Sequence, residues 1–202
     1  MLDLSRSALL LMDFQNYGVH AKGYWAQRDP AQHVRLVAAG TVDNAARALA
    51  AARAADLRVI HVVNRWRTGH VDLDDAIPMW ATRRGTDVGI EGTWGADIID
   101  QLAPAADEVV VVKRTVSAMT ATDLDRLLTL FDIRTLVLTG VATNFVVKGT
   151  AREAVDRGYR VTTLSDCCET WSAEAQAFSL QILSLLGPVM TVEEFIVLLG
   201  KA

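Results

Sequence analysis

The sequence predicts an α/β fold, a three-layer α/β/α, Rossmann-like domain around a doubly wound, mostly parallel sheet of six strands. Short apolar runs alternate with longer helical patterns along the chain, an order that is typical of parallel strands joined by right-handed helical crossovers. The runs are apolar at consecutive positions, which indicates strands that are buried on both faces. Since the alternation continues throughout, we predict one domain over residues 1–202.

The apolar runs place the individual strands. Five clear strands are predicted at residues 8–12, 59–63, 109–112, 136–138 and 159–164, and a weaker sixth at 188–190. Helices are predicted between them at residues 32–55, 94–102, 121–131, 144–157 and 173–186, and a last helix at 192–199. Glu193 and Glu194 support the start of the last helix, because acidic side chains in a first turn interact favourably with the helix dipole.

The composition restricts the class of partner. Lys and Arg number 20 against 24 Asp and Glu, so the formal net charge is −4. This mildly acidic balance gives no electrostatic reason to bind nucleic acid or an anionic membrane. No run approaches the roughly 18–20 apolar residues of a membrane span. We therefore expect a cytoplasmic protein that acts on a small molecule, with neither nucleic acid nor a membrane as partner.

The two cysteines, Cys167 and Cys168, are neighbours in the sequence. This arrangement excludes a disulfide framework and a four-cysteine zinc site, and it suits a reducing compartment. Both are predicted to follow the fifth strand, either as small buried hydrophobic residues or with one thiol lining a pocket. The four histidines lack the spacing of metal ligands, and His61 lies inside an apolar strand. No metal and no cofactor are predicted.

The segment of residues 64–93 lacks the periodicity of a helix or a strand. It is rich in Arg, Gly and Asp and contains Trp66, His70, Met79 and Trp80. Long irregular segments in compact domains are commonly functional or mobile, so we predict a lid or an insertion here. The alternative is a surface excursion with a small packing cluster of its own.

Charged residues end two of the predicted strands. Asp13 follows the first strand and Lys113 follows the third. Ligands bind at the carboxyl ends of the strands in open parallel sheets, and a charge at a buried strand end is unfavourable unless it is paired. If these side chains meet, they form either an acid–base pair for catalysis or a structural ion pair.

The loop after the fourth predicted strand begins at Gly140. Thr143 or Asn144 is suited to cap the helix that follows. Val146 falls in the first turn of that helix, on the face that packs against the sheet. A cysteine there would be made more acidic by the helix N-terminus, whereas valine is neither a nucleophile nor an acid.

Five segments carry recognisable motifs: ALLLMDFQN with Asp13, GTWGADIIDQLAP from Gly92, VVVVKRTVSAMTATDLDRLL with Lys113, GVATNFVVKGTAREAVDRGY from Gly140, and TTLSD with Asp166. Together they resemble the isochorismatase-like hydrolase superfamily, also called the cysteine hydrolases, over nearly the whole chain. The resemblance implies a three-layer fold, a site built from an Asp, a Lys and a Cys, and assembly as a homo-oligomer, a dimer or larger.

The resemblance also assigns roles to positions in this chain. Asp13 and Lys113 match the catalytic Asp and Lys, and Val146 stands at the position of the nucleophilic cysteine. A cis peptide bond is implied before the nucleophile turn, in a loop whose backbone forms an oxyanion hole; these residues are Val141, Ala142, Thr143 and Asn144. The Asp and His cluster that binds metal in nicotinamidases is not recognisable between Asn64 and Asp75.

The missing cysteine leaves three functional hypotheses. The leading one is a small-molecule hydrolase in which Asp13 and Lys113 act without a cysteine, as in the vinyl-ether hydrolysis of true isochorismatases. However, VATN after Gly140 resembles the amidase branch, and Met119 replaces a common aromatic residue. The second hypothesis is amide or ureide cleavage by water or by a displaced Cys167 or Cys168. The third is a binding or scaffold protein without catalysis.

Aromatic residues in the predicted loops suggest an apolar or cyclic substrate. Four of the five tryptophans lie in loops that could line the site, and their alternative role is packing beneath those loops. The predicted substrate-binding residues are Phe14, Gln15, Trp25, Trp66, Trp80, Trp94, Met119 and Phe145.

Overall fold

A six-stranded sheet forms the centre of the computed structural model, which describes residues 3–200. The strands are β1 (Ser7–Met12), β2 (Arg58–Asn64), β3 (Val109–Lys113), β4 (Thr135–Val141), β5 (Arg160–Glu169) and β6 (Val189–Met190). Their spatial order is β3-β2-β1-β4-β5-β6, and every neighbouring pair is parallel. The predicted fold class is confirmed, and the sheet is parallel throughout.

Helices cover both faces of this sheet. They are α1 (Asn16–Val19), α2 (Tyr24–Arg28), α3 (Pro30–Ala38), α4 (Thr41–Ala54), α5 (Pro78–Ala81), α6 (Leu124–Leu130), α7 (Lys148–Asp156), α8 (Ala173–Ser184) and α9 (Val192–Leu199). Leu10 belongs to a core layer that includes residues of α6, α7 and α8. Leu9 and Leu11 belong to the opposite layer, with residues of α3, α4 and α9. Successive residues of β1 thus serve opposite layers, as the strand pleat requires.

The register of the strands brings their carboxyl ends to one edge. Met12 of β1 is aligned with Val62 of β2 and with Gly140 of β4, and Asn64 is aligned with Lys113. The chain passes from β1 outward to β3 and then returns to β4 on the other side of β1. The end of β1 therefore lies where the strand order reverses, which is the usual ligand-binding position in such sheets.

The prediction of one helix over residues 32–55 is wrong. The structure has two helices there, α3 and α4, which are separated at Gly40. Gly40 adopts a left-handed conformation with φ of 63°, and a glycine reaches this conformation without steric penalty. The alanine-rich sequence on either side hides this break, because alanine favours a helix at every neighbouring position.

The prediction of a helix over residues 94–102 is also wrong. Only two short 3₁₀ turns form there, Trp94–Ala96 and Asp100–Leu102. Between them, Ile98 pairs with Gln15 in an isolated antiparallel bridge, and the amide of Ile99 donates to the carbonyl of Phe14 at 2.9 Å. Because the backbone here pairs with the segment that follows β1, it cannot continue as a helix.

Strand β5 is longer than predicted, and both cysteines lie inside it rather than after it. The register with β4 shifts between Leu138 and Gly140, so that β5 carries extra residues on its way to the carboxyl edge. Cys167 and Cys168 are buried and belong to opposite core layers. They pack as small hydrophobic residues, one of the two predicted alternatives.

The segment of residues 64–93 packs on a small cluster of its own, formed by Trp66, Leu73 and Trp80. Gly89 adopts φ of 70° and lies directly against the indole of Trp66. None of the helices within residues 3–200 combines the length and the apolar character needed to cross a membrane.

Candidate active site

Asp13 and Lys113 meet over the carboxyl end of the sheet. Nζ of Lys113 lies 2.9 Å from Oδ2 of Asp13 and also donates to the carbonyl of Thr115 at 3.0 Å. Lys113 is only 1% exposed and Asp13 is also buried. Asp13 has φ of 61°, and its amide donates to the carbonyl of Val62 at 2.9 Å. Asp is one of the few residue types that adopt this left-handed conformation readily.

The buried environment shifts the ionisation of both side chains. Burial raises the pKa of Asp13, and the Lys113 ammonium offsets this only in part. Burial likewise lowers the pKa of Lys113, against the influence of Asp13. Oδ1 of Asp13 is buried without a hydrogen-bond partner among residues 3–200. The pair therefore leaves one carboxylate oxygen for a bound molecule, and carboxylates placed in this way are suited to proton transfer.

A cavity of about 500 Å³ opens beside this pair. Several of its walls are aromatic or aliphatic, which suits a small organic molecule with few polar groups. The lining residues are Asp13, Tyr17, Gly18, Trp25, Asp29, Gln32, Asn64, Met79, Trp80, Thr82, Arg83, Lys113, Val116, Val141, Ala142, Phe145, Val146 and Trp171.

Eight of the predicted site residues line this cavity. They are Asp13, Trp25, Trp80, Lys113, Val141, Ala142, Phe145 and Val146. The peptide bond between Val141 and Ala142 is cis, as the resemblance implies. Phe145 packs against Trp171 with ring centroids 5.1 Å apart.

Phe14, Met119 and Gln15 are not at the cavity, contrary to prediction. Phe14 and Met119 are core residues on opposite faces of the sheet. The side chain of Gln15 is fully buried and bonds to the backbone: Nε2 donates to the carbonyls of Asn64 and Ala96 at 2.8 and 2.7 Å, and Oε1 accepts from the amide of Asn64 at 2.7 Å. Gln15 thereby fixes the end of β2 beside Asp13.

Trp66 and Trp94 were also predicted to line the site, and neither does. Trp66 is buried beneath the cavity wall, with its ring centroid 5.4 Å from that of Trp80. Trp94 is 52% exposed and packs edge-on against His20. Trp66 therefore has the alternative role that was predicted for the loop tryptophans, which is packing beneath the loops.

The predicted oxyanion loop is only partly at the cavity. Val141 and Ala142 line it, whereas Thr143 and Asn144 lie behind it. Thr143 is fully buried, and its hydroxyl has no partner in the described part of the chain. Oδ1 of Asn144 accepts from the hydroxyl of Thr170 at 2.6 Å. Asn144 thus connects the loop to the end of β5.

Val146 forms part of the cavity wall. It lies in a π-helical turn, Thr143–Val147, that precedes α7, where an α-helix from residue 144 was predicted. Such turns are rare and occur frequently at functional sites. Neither Cys167 nor Cys168 is among the residues that line the cavity. Burial raises the pKa of the Cys168 thiol to about 12 and also raises that of Cys167, so both thiols are poor nucleophiles in place.

Sequence reasoning missed several cavity residues, above all Tyr17, Arg83 and Trp171. Arg83 is buried, with its guanidinium carbon 4.7 Å from the ring centroid of Trp66 and 5.0 Å from that of Trp80. A signal for Arg83 exists in its spacing, because it stands one helical turn after Trp80. Asn64 directly follows the predicted strand of residues 59–63, at the edge where ligands bind, whereas nothing local distinguishes Tyr17 or Trp171.

Comparison with known proteins shows which family this chain resembles in sequence. The family model described as "Isochorismatase domain" matches residues 7–194. The chain is 32% identical to the ureidoacrylate amidohydrolase RutB of Methylorubrum extorquens over 81% of this chain and 70% of that protein. It is also 32% identical to RutB of Variovorax paradoxus, over 96% and 82% of the respective chains.

Solved structures show the same fold. A cysteine hydrolase from Pseudomonas syringae pv. phaseolicola superposes with a TM-score of 0.87 at 26% identity, covering 99% of this chain and 95% of that one. An isochorismatase-like hydrolase from Alkaliphilus metalliredigens gives a TM-score of 0.76 at 31% identity, with coverage of 95% and 97%.

Proposed function

The chain is a hydrolase that belongs to the isochorismatase family, and from this premise we propose that it hydrolyses a C–N bond in a small amide or ureide. One observation carries the proposal: the buried Asp13–Lys113 pair lines a cavity and keeps Oδ1 of Asp13 without a partner among residues 3–200. The names of the similar amidohydrolases support the choice of bond. This favours the second hypothesis of the sequence analysis over the first.

The proposed reaction uses water as the nucleophile. The ionised Asp13 takes a proton from water as its oxygen attacks the carbonyl carbon, and a tetrahedral oxyanion forms. The C–N bond then breaks, and Asp13 returns the proton to the leaving nitrogen. Lys113 favours the ionised form of Asp13 and holds Oδ2, so that Oδ1 acts on the water. We assign stabilisation of the oxyanion to the backbone of the loop of residues 141–144 and to the amide of Val146.

Val146 is the reason for proposing water. By resemblance, Val146 occupies the position of the family's nucleophilic cysteine, and a valine cannot form a thioester. The high pKa of the Cys168 thiol and the core positions of both cysteines speak against a displaced thiol. The apolar Val146 then serves as a wall against which the substrate packs.

Vinyl-ether hydrolysis is the second candidate, and the raised pKa of Asp13 favours it. A protonated Asp13 would donate a proton to the enol carbon, and water would add to the resulting oxocarbenium ion. This reaction needs no nucleophilic side chain. The two candidates therefore require opposite protonation states of the same carboxyl group.

The test is a direct comparison of substrates. The purified protein is incubated with primary amides and ureido acids, and ammonia is measured; enol ethers of similar size are followed by the appearance of the carbonyl product. Ammonia release that is lost in Asp13→Asn supports C–N hydrolysis, and turnover of enol ethers alone selects the second candidate. Binding without turnover of either class would instead support the third hypothesis, a protein that retained only the fold.

We also propose that residues 1–202 form one domain in which the segment of residues 64–93 acts as a lid, and that the protein assembles as a homo-oligomer, a dimer or larger. Exposed aromatic side chains support assembly, because Trp171 at the cavity and Phe178 on α8 present apolar surface. Light scattering coupled to size-exclusion chromatography tests the oligomeric state, and a monomer at micromolar concentration would contradict the proposal.

A further inference from the structure

The cavity contains a second cation that the proposed chemistry does not use. Arg83 is only 7% exposed. Its guanidinium carbon lies 4.7 Å from the ring centroid of Trp66, 5.0 Å from that of Trp80 and 5.3 Å from that of Tyr17. Nε and Nη1 are buried and have no hydrogen-bond partner among residues 3–200, and no ion pair within that range involves Arg83.

The aromatic rings account for the position of Arg83 but not for its hydrogen bonds. Rings stabilise a guanidinium ion through its faces. The two indole rings have no acceptor atom for the N–H groups at its edge, and the hydroxyl oxygen of Tyr17 carries no charge. Nε and Nη1 remain without a partner among residues 3–200, and a buried charged donor without an acceptor is strongly unfavourable. An acceptor of opposite charge is therefore missing from the described part of the protein, at a side chain that lines the cavity.

The charges around the cavity leave Arg83 unmatched. Four charged side chains line it: Asp13, Lys113, Asp29 and Arg83. Asp13 and Lys113 form a pair with each other. Asp29 is only half-buried, and its Oδ1 accepts from the amide of Gln32 at 3.1 Å to cap α3. The three buried charges, those of Asp13, Lys113 and Arg83, sum to one positive charge, and Asp29, which would balance it, forms no ion pair with Arg83 among residues 3–200. The uncompensated charge at Arg83 favours binding of an anion beside it.

The unpartnered polar atoms differ between the strand ends and Arg83: the strand ends present acceptors, whereas Arg83, in the segment that follows β2, presents donors. From the strand ends, Oδ1 of Asp13 and Oδ1 of Asn64 are buried acceptors without partners among residues 3–200. From the segment, Arg83 supplies buried donors. A substrate that satisfies both groups of atoms has a nitrogen that donates hydrogen bonds to the acceptors at the strand ends. It also has an anionic acceptor that binds the N–H groups of Arg83.

We propose that Arg83 binds a carboxylate group of the substrate, so that the substrate is an amide or ureide that also carries a carboxylate away from the bond to be cleaved. The planar fork of a guanidinium matches a carboxylate with two parallel hydrogen bonds. This assignment rests on the proposed function only for the position of the cleaved bond near Asp13. Arg83 is then a specificity-determining residue, whose contact does not change during the reaction.

Binding of non-hydrolysable probes tests the proposal without turnover. Isovalerate carries a carboxylate, and methyl isobutyl ketone has the same shape without a charge. Titration of each probe is followed by tryptophan fluorescence, since two indole rings contact Arg83. The wild-type protein should bind isovalerate about 10- to 100-fold more tightly than the ketone, as expected for a hydrogen-bonded charge pair. Equal binding of the two probes in the wild-type protein overturns the proposal without any variant.

The variants then assign the preference to Arg83. Arg83→Gln should remove the preference for isovalerate, and Arg83→Lys should retain part of it because the charge remains but the fork is lost. Arg84→Gln is the matched control, since Arg84 is the adjacent arginine and pairs with Asp75 at the surface. An equal loss in Arg84→Gln, or an unchanged preference in Arg83→Gln, contradicts the assignment.

Turnover separates this proposal from the proposed function. Succinamate and succinamide differ only in the charge of the remote group, and ammonia release is measured for both. Turnover of both at equal kcat/KM supports C–N hydrolysis and contradicts the role of Arg83. Turnover of neither, combined with Arg83-dependent binding of isovalerate, supports the carboxylate site and contradicts amide hydrolysis.

Discussion

Lys113 donates a hydrogen bond to Oδ2 of Asp13 across the end of the intervening strand β2, with 2.9 Å between the two atoms. The contact joins the ends of strands that are not neighbours in the sheet, and the long side chain of Lys113 spans β2 to make it. It occupies one carboxylate oxygen and directs the other to the cavity. A carboxyl group held in this way can exchange a proton with a bound molecule without changing its rotamer.

Replacement of Asp13 by asparagine should abolish turnover while the fold persists. Asparagine has the same shape and also tolerates the left-handed φ of 61°, but it cannot accept a proton from water. The loss of an acid–base group is expected to lower kcat about 10²- to 10⁴-fold. Ammonia release under saturating substrate measures the effect, and thermal unfolding verifies the fold.

Asp56→Asn provides the control for that experiment. Asp56 is exposed and adopts a similar left-handed conformation with φ of 51°. Its variant therefore reproduces the change in charge and backbone preference away from the site. Full activity in Asp13→Asn, or an equal loss in Asp56→Asn, would show that the Asp13 carboxyl group is not the proton acceptor.

The pH dependence of kcat/KM distinguishes the two candidate reactions. Burial raises the pKa of Asp13 above its usual value of 3.8. If the ionised carboxylate is the base, the rate falls as the pH falls through this raised pKa, and the acid limb lies above pH 3.8. If the protonated form is the acid, as in vinyl-ether hydrolysis, the rate instead falls as the pH rises through the same pKa. Lys113→Gln should move either limb to higher pH, because the ammonium that favours the carboxylate is removed.

Introduction of a cysteine at position 146 should create a reactive thiol. Val146 lines the cavity near Lys113, and both the cation and the helix that follows favour a thiolate. Val146→Cys should react with iodoacetamide faster than either native cysteine and, with a primary amide substrate, should show an acyl adduct by intact-mass spectrometry. Val147→Cys is the matched control, because Val147 is the next residue and is equally buried but does not line the cavity. Equal alkylation of the two variants would place position 146 outside the reactive site.

The sequence was sufficient for the fold and for the Asp13–Lys113 pair because each depends on a strong local pattern. Continuous apolar runs place the strands, and a charge at the end of each of two runs brings the pair to the same edge. The helix break at Gly40 was missed because its flanks are rich in alanine. The extension of β5 was missed because the register shift with β4 occurs beside polar residues. Arg83 was missed because its spacing from Trp80 is only a weak signal, and its burial also depends on Tyr17 and Trp66, which come from other parts of the chain.

Removal of the Glu108 carboxylate should destabilise the protein and make its free energy of unfolding depend less on pH in the acid range. Oε2 of Glu108 lies 2.9 Å from Nε2 of buried His61, and Arg53 donates two hydrogen bonds of 2.8 Å to the carboxylate. Burial raises the pKa of Glu108, but Arg53, the amide of Ala105 and His61 lower it to about 2, from 4.5. The stabilisation is thus complete above pH 4.5 and is lost as the pH falls toward about 2.

Urea unfolding at several pH values measures this effect. Glu108→Gln should lower the free energy of unfolding by about 1–3 kcal/mol near neutral pH and should reduce its decline between pH 4.5 and about 2. Asp132→Asn is the control, because Asp132 contacts arginines only at the exposed surface, where ion pairs contribute little. An unchanged pH profile in Glu108→Gln would contradict the assigned role.

The packing of the segment of residues 64–93 should require that residue 89 has no side chain. A Cβ atom at Gly89 would lie 2.8 Å from two ring carbons of Trp66, which is too close for real contacts, and φ there is 70°. Gly85 has a similar φ of 79° but has no atom within 4 Å of such a Cβ. Gly85→Ala therefore measures backbone strain alone, about 1–2 kcal/mol, whereas Gly89→Ala should cost about 1–3 kcal/mol more because the indole must move.

Because Trp66 supports the guanidinium of Arg83, Gly89→Ala should also weaken isovalerate binding while Gly85→Ala leaves it unchanged. Equal stability and equal binding in the two variants would show that the Trp66 ring does not hold this part of the cavity in place.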